Sequence, residues 1–161
     1  MSTSTPGAVK DRRSPLQVAA MAVGAVFLLV GILGFIPGIT TDYSELEWAG
    51  HHSRAQLLGL FNVSVLHNVV HLAFGIAGVL AARTAAAARA YLLGGGVIYL
   101  VLWLYGLIVD PHSDANFVPL DTADNWLHFA LGAAMIALGA LLARRPTTRA
   151  PGAGGQTGIL E

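Results

Sequence analysis

Cysteine is absent from the 161 residues, which excludes disulfides, thiolate-held metals and cysteine nucleophiles and leaves no thiol from which to infer a redox compartment. Charge is scarce: 11% of residues carry it, the two signs balance at 9 each, and the formal net charge is zero. With no basic run interleaved with aromatics, nucleic acid is not an expected partner. What fills the chain instead is apolar. The apolar fraction is 55% and the mean hydropathy +0.63, a balance that points to a lipid bilayer rather than water as the solvent. The length suits one domain.

Residues 1–14 are polar and end in Lys10, Arg12 and Arg13, the composition of a disordered tail. Leu16 to Ile36 is then a run of 21 residues without a charge, stopped by Pro37 and Gly38. It is too long for the apolar region of a signal peptide, and no small-residue cleavage site follows. It is read as a first membrane helix. Ser53 and Gln56 match a capping box, which predicts a second helix from Arg54 to Ala82. At about 1.5 Å per residue that helix exceeds a roughly 30 Å hydrocarbon core, so its first two turns should protrude or the helix should tilt. Further spans are expected at about 90–109, where Gly94, Gly95 and Gly96 permit close approach, and at about 124–143. The four spans make up a membrane domain over 15–144, and the Gly/Pro-rich residues 145–161 read as a second disordered tail.

Basic residues set the orientation. Lys10, Arg12, Arg13, Arg83, Arg89, Arg144, Arg145 and Arg149 fall on one side and only Arg54 on the other, so both termini are expected in the cytoplasm. Asp42, Glu45, Glu47, Asp110, Asp114, Asp121 and Asp124 gather on the opposite side. There they keep the loops solvated or form a cation-attracting mouth, and Asp42, Glu45, Asp110 or Asp114 joined with His51, His52 or His112 could bind a divalent ion at the surface.

The polar residues inside the spans carry the chemistry. Ser64, His67, Asn68, His71, Gly75 and Gly78 recur at spacings of three and four, so they share one helix face, and such a face turns inward or toward a water-filled cavity. Asn68, His71 and Gly75 read NxxHxxxG, as do Asn125, His128 and Gly132. That match raises a tandem repeat of two helical hairpins related by an axis along the membrane normal, with His71 and His128 facing each other. Three readings stay open. The side chains hydrogen-bond between helices; or His67, His71 and His128 hold a transition metal such as zinc or copper; or His71 and His128 are axial ligands of a haem. Asn68 and Asn125 would then orient the imidazoles, and Asn62, Ser64 and Tyr105 complete a pocket toward the outer face. Histidine-box oxygenases require further histidine boxes that are missing, and Ser64 beside His67 lacks an orienting acid and an oxyanion hole. No catalytic residue is assigned, and binding is expected over catalysis, with a membrane-embedded redox or metal enzyme and a purely structural subunit as alternatives. Homo-oligomerisation or a membrane partner protein is open.

The stretches VLHNVVHLAFG from Val65, YLVLWLYGLIVD from Tyr99, NFVPLDTADNWLHFALG from Asn116 and GFIPGITTDY from Gly34 resemble the signature blocks of an uncharacterised family of small bacterial four-helix membrane proteins, DUF family 4383. The resemblance covers Leu16 to Ala143. It implies an all-α integral membrane four-helix bundle and carries no activity, ligand or catalytic residue onto His67, His71 or His128.

Overall fold

The computed structural model describes residues 13–144. The expected tails, 1–14 and 145–161, lie outside the described residues except for Arg13 and Ser14. Four helices dominate: α1 (Pro15–Leu33), α2 (Val65–Ala81), α3 (Ala85–Ile108) and α4 (Thr122–Leu141). Each begins at a side chain that accepts an otherwise free backbone N–H. Ser14 takes that of Gln17, Ser64 that of His67, Thr84 that of Ala87 and Asp121 that of Asp124. Gln17 and Asp124 also return the bond to the cap backbone, completing capping boxes at α1 and α4. The fold is all-α. Pro15–Leu33 and Ala85–Ile108 are long and apolar enough to cross a membrane, whereas the apolar α2 has only 17 residues.

The chain between α1 and α2 departs from expectation. No helix starts at Arg54. Instead β1 (Thr40–Thr41), β2 (Gln56–Leu57) and β3 (Phe61–Asn62) form a small antiparallel sheet in the order β1-β2-β3, above a cluster of Ala55, Leu57 and Val63. Ser53, the expected cap, is buried; it donates to the Val63 carbonyl and accepts the Glu47 N–H. Gln56 donates to Asn62 across the hairpin. Leu58 and Gly59 adopt positive φ of 57° and 67°, a left-handed turn that an α-helix does not tolerate. The helix therefore waits until Ser64. Shorter shifts occur elsewhere: α1 stops at Leu33, three residues before Ile36, and α3 starts at Ala85 because Thr84 caps it.

The helices pack as two hairpins, α1 with α2 and α3 with α4, which meet less closely, chiefly through α1 and α3. Glycine permits the close pairing. A Cβ on Gly24 would lie 2.9 Å from the Gly75 carbonyl oxygen and 2.9 Å from the Val79 nitrogen; on Gly96 it would lie 2.8 Å from the Gly132 oxygen and 3.1 Å from the Ile136 nitrogen. Gly75 faces Leu28 as Gly132 faces Leu100, and the side chain of Asn68 covers Gly34 as that of Asn125 covers Gly106. Thus these contacts of the first hairpin recur in the second. Equivalent positions keep one constant spacing between α1 and α3 and another between α2 and α4.

Candidate functional site

Phe27 of α1 and Tyr99 of α3 occupy equivalent positions and stack where the hairpins meet, with ring centroids 5.3 Å apart. Each receives a histidine from its own hairpin edge-on, His71 against Phe27 at 5.6 Å and His128 against Tyr99 at 5.1 Å. One turn nearer the N-terminal ends of these helices lie His67 on α2 and, at the matching position of α4, Asp124. All four are buried: His67 is 6% exposed, His71 8%, His128 3% and Asp124 2%. The spacing of four residues in HNVVH and DNWLH puts each pair on one helix face, and both faces turn toward the other hairpin.

Two cavities flank these imidazoles. One of about 320 Å³ opens between α2 and α3 and is walled by Leu66, Val70, Ile98, Leu102 and Val118, with His67, His71 and His128 as its polar edge. The other, about 120 Å³, lies between α1 and α4 against Val30, Leu33, Leu127 and Leu131, and adds Asp124 to the same three histidines. The polar atoms are unevenly served. His71 Nδ1 lies 3.0 Å from the His67 carbonyl oxygen, and Asp124 accepts the backbone N–H of Asn62 at 3.2 Å. Among the described residues His67 Nδ1 and His128 Nδ1 have no hydrogen-bond partner.

The residues expected to act together are only partly united. His67, His71 and His128 do share cavities. They do not present three ligand atoms within 4.8 Å of one another; among the described residues that geometry occurs only at His51, His52 and Asp114. His67 and His71 instead stack, with centroids 4.5 Å apart and planes 16° from parallel. The pair considered for haem, His71 and His128, each abut an aromatic ring. Of the expected pocket lining, Ser64 is the α2 cap and Tyr105 donates from its hydroxyl to the Ala115 carbonyl. Asn125 donates to the Gly106 carbonyl at 2.9 Å, and Asn68 packs on Gly34. Asn62 borders a separate pocket of about 360 Å³ with Ser53, Gln56, His112, Asn116 and Asp121.

The family described as a domain of unknown function, DUF4383, matches residues 17–141. The chain belongs to that family. No curated protein and no solved structure matches it. In this DUF4383 chain the site residue that sequence reading misses is Asp124, which composition groups with the acidic loop. A signal for it exists, because aligning the two motifs one turn earlier pairs Asp124 with His67.

Proposed function

We propose that this DUF4383 chain is a multi-pass inner-membrane protein, with both termini cytoplasmic, that binds a small molecule in the cleft between two duplicated hairpins. Its ligand has an apolar body and a hydrogen-bonding head that meets His67, His71 and His128. Membrane placement is supported by an inverted distribution of polarity. Val26, Leu29, Ile76, Val97, Val101, Leu107 and Phe129 are exposed on the helix exteriors while histidine, asparagine and aspartate are buried, and apolar surface of that extent marks a membrane or partner interface. Arg54, the single basic residue on the outer side, is paired with Glu45 at 2.7 Å, which suits the orientation drawn from arginine and lysine. The recurring glycine, leucine and asparagine contacts support the duplication.

The observation that carries the ligand reading is the pair of unpartnered ring nitrogens, on His67 and His128, beside a cavity with apolar walls. Burying a polar group without a partner costs about 2–7 kcal/mol, and small-molecule sites combine apolar walls with a few convergent polar groups in about 300–1,000 Å³. Among the described residues His67, His71 and His128 do not bring three ligand atoms within 4.8 Å of one another, which favours an organic molecule over a metal at this place. The test is solvent extraction and mass spectrometry of the detergent-purified protein, with elemental analysis alongside, for wild type, His71→Ala and His128→Ala. We expect one organic species per chain, depleted in both variants while the far-ultraviolet circular dichroism stays helical. A stoichiometric metal in its place, or wild-type protein free of any bound species, overturns the reading.

A further inference from the structure

The outer loops assemble a second set of donors, separate from the cleft. Gly50, at φ +87°, opens a turn closed by the Ser53 N–H on the Gly50 carbonyl at 3.2 Å, which sets His51 and His52 at its two corners. Their rings lie 4.0 Å apart with planes tilted by 38°. In the loop between α3 and α4, the Asn116 N–H closes on the Ser113 carbonyl at 2.9 Å and leaves Asp114 at a corner. The buried Asn116 side chain fixes that loop, donating to the carbonyls of Pro111 and Leu120 and accepting the Leu120 N–H. The two loops are joined where the Gly50 N–H donates to the Phe117 carbonyl at 2.8 Å. As a result, ligand atoms of His51, His52 and Asp114 all lie within 4.8 Å of one another.

We propose that His51, His52 and Asp114 form a divalent transition-metal site that clamps the loop between α1 and α2 to the loop between α3 and α4. Two imidazoles and one carboxylate suit zinc, cobalt or nickel; calcium and magnesium prefer all-oxygen shells, and thiophilic ions find no sulfur here. Three protein ligands leave a further position to water, as in open zinc sites. His52 and Asp114 are exposed and His51 partly so, so the ion exchanges directly with the medium. The donors come from turns already held in place by backbone and Asn116 hydrogen bonds, so little ordering is needed for an ion to bind. None of the cleft residues takes part, and the site stands or falls independently of the ligand reading.

The experiment is calorimetric titration of zinc into the full chain, purified through a tag without histidine and stripped with chelator. One equivalent per chain is expected, with a rise in melting temperature on loading. Losing a direct ligand should weaken binding by at least the roughly tenfold seen for outer-shell partners, in both His51→Ala and Asp114→Asn, while His112→Ala on the neighbouring turn binds as wild type. Asp114→Asn keeps the size and shape of the exposed side chain, so it serves if His51→Ala misfolds. Absence of saturable binding, or binding unchanged in Asp114→Asn, overturns the proposal.

Discussion

Asn68 and Asn125 hold equivalent positions and similar surroundings, yet only one makes a hydrogen bond. Asn125 donates across its hairpin to the Gly106 carbonyl, whereas neither polar atom of Asn68 has a partner among the described residues. Interhelical hydrogen bonds in membrane bundles contribute about 0.6 kcal/mol on average and up to about 1.7. Asn125→Ala should therefore destabilise the protein by about 1 kcal/mol more than Asn68→Ala, which removes volume but no bond. Denaturant titration in detergent measures the difference, and equal losses would show that Asn125 acts by filling space alone. That these residues face inward is legible from their spacing. Their work is not: the sequence suggests that both orient imidazoles, and both instead cover a glycine on the partner helix, because a side chain's neighbour across a hairpin depends on a register that one helix's sequence does not contain. Asp124 escapes for a related reason, since an acid four residues before His128 becomes informative only when the two hairpins are superimposed.

At the scale of the helix, the glycines divide by what stands opposite them. Gly24 and Gly96 meet the backbone of the paired helix, which cannot move aside as the end of a side chain can. Among the described residues Gly94 has nothing within 4 Å of where its Cβ would be. Gly24→Ala and Gly96→Ala should each cost about 1–3 kcal/mol through overpacking, and Gly94→Ala should gain about 0.5–1 kcal/mol from helix propensity. Melting of the three variants in one detergent checks the order, and a destabilised Gly94→Ala would mean that face is covered by something outside this chain. The helices themselves are readable, because uninterrupted apolar runs and the caps at their ends act locally. The cap of small strands is not. Ser53 and Gln56 carry the pattern that starts a helix, but the Val63 carbonyl and the Glu47 N–H, distant in sequence, claim the Ser53 hydroxyl, and the left-handed turn at Leu58 and Gly59 forbids the helix beyond it.

For the molecule as a whole, the central question is which solvent each surface meets. The hairpins expose valine, leucine and isoleucine on their outer faces and bury histidines between them, an arrangement that suits the proposed hydrocarbon surroundings. Helix lengths fit unevenly. At about 1.5 Å per residue α3 reaches roughly 36 Å and α2 only about 25 Å, so α2 is short for a roughly 30 Å core, and the small sheet before it sits where the expected protruding turns of a longer helix would have been. Because the sequence has no cysteine, single introduced thiols report sidedness without background. If the proposed orientation holds, Trp48→Cys and Ala115→Cys, in the loops between α1 and α2 and between α3 and α4, should react with a membrane-impermeant maleimide in intact spheroplasts. Ala86→Cys, exposed in the first turn of α3 between Arg83 and Arg89, should react only after permeabilisation. Labelling of the Ala86→Cys variant in intact spheroplasts would reverse the proposed orientation, and with it the assignment of the His51, His52 and Asp114 cluster to the outer face. Recovery of the chain in the soluble fraction, with all three positions reactive, would remove the bilayer from the account altogether. The buried histidines would then need explaining as the interior of a helical assembly whose apolar exterior is covered by other copies of the chain.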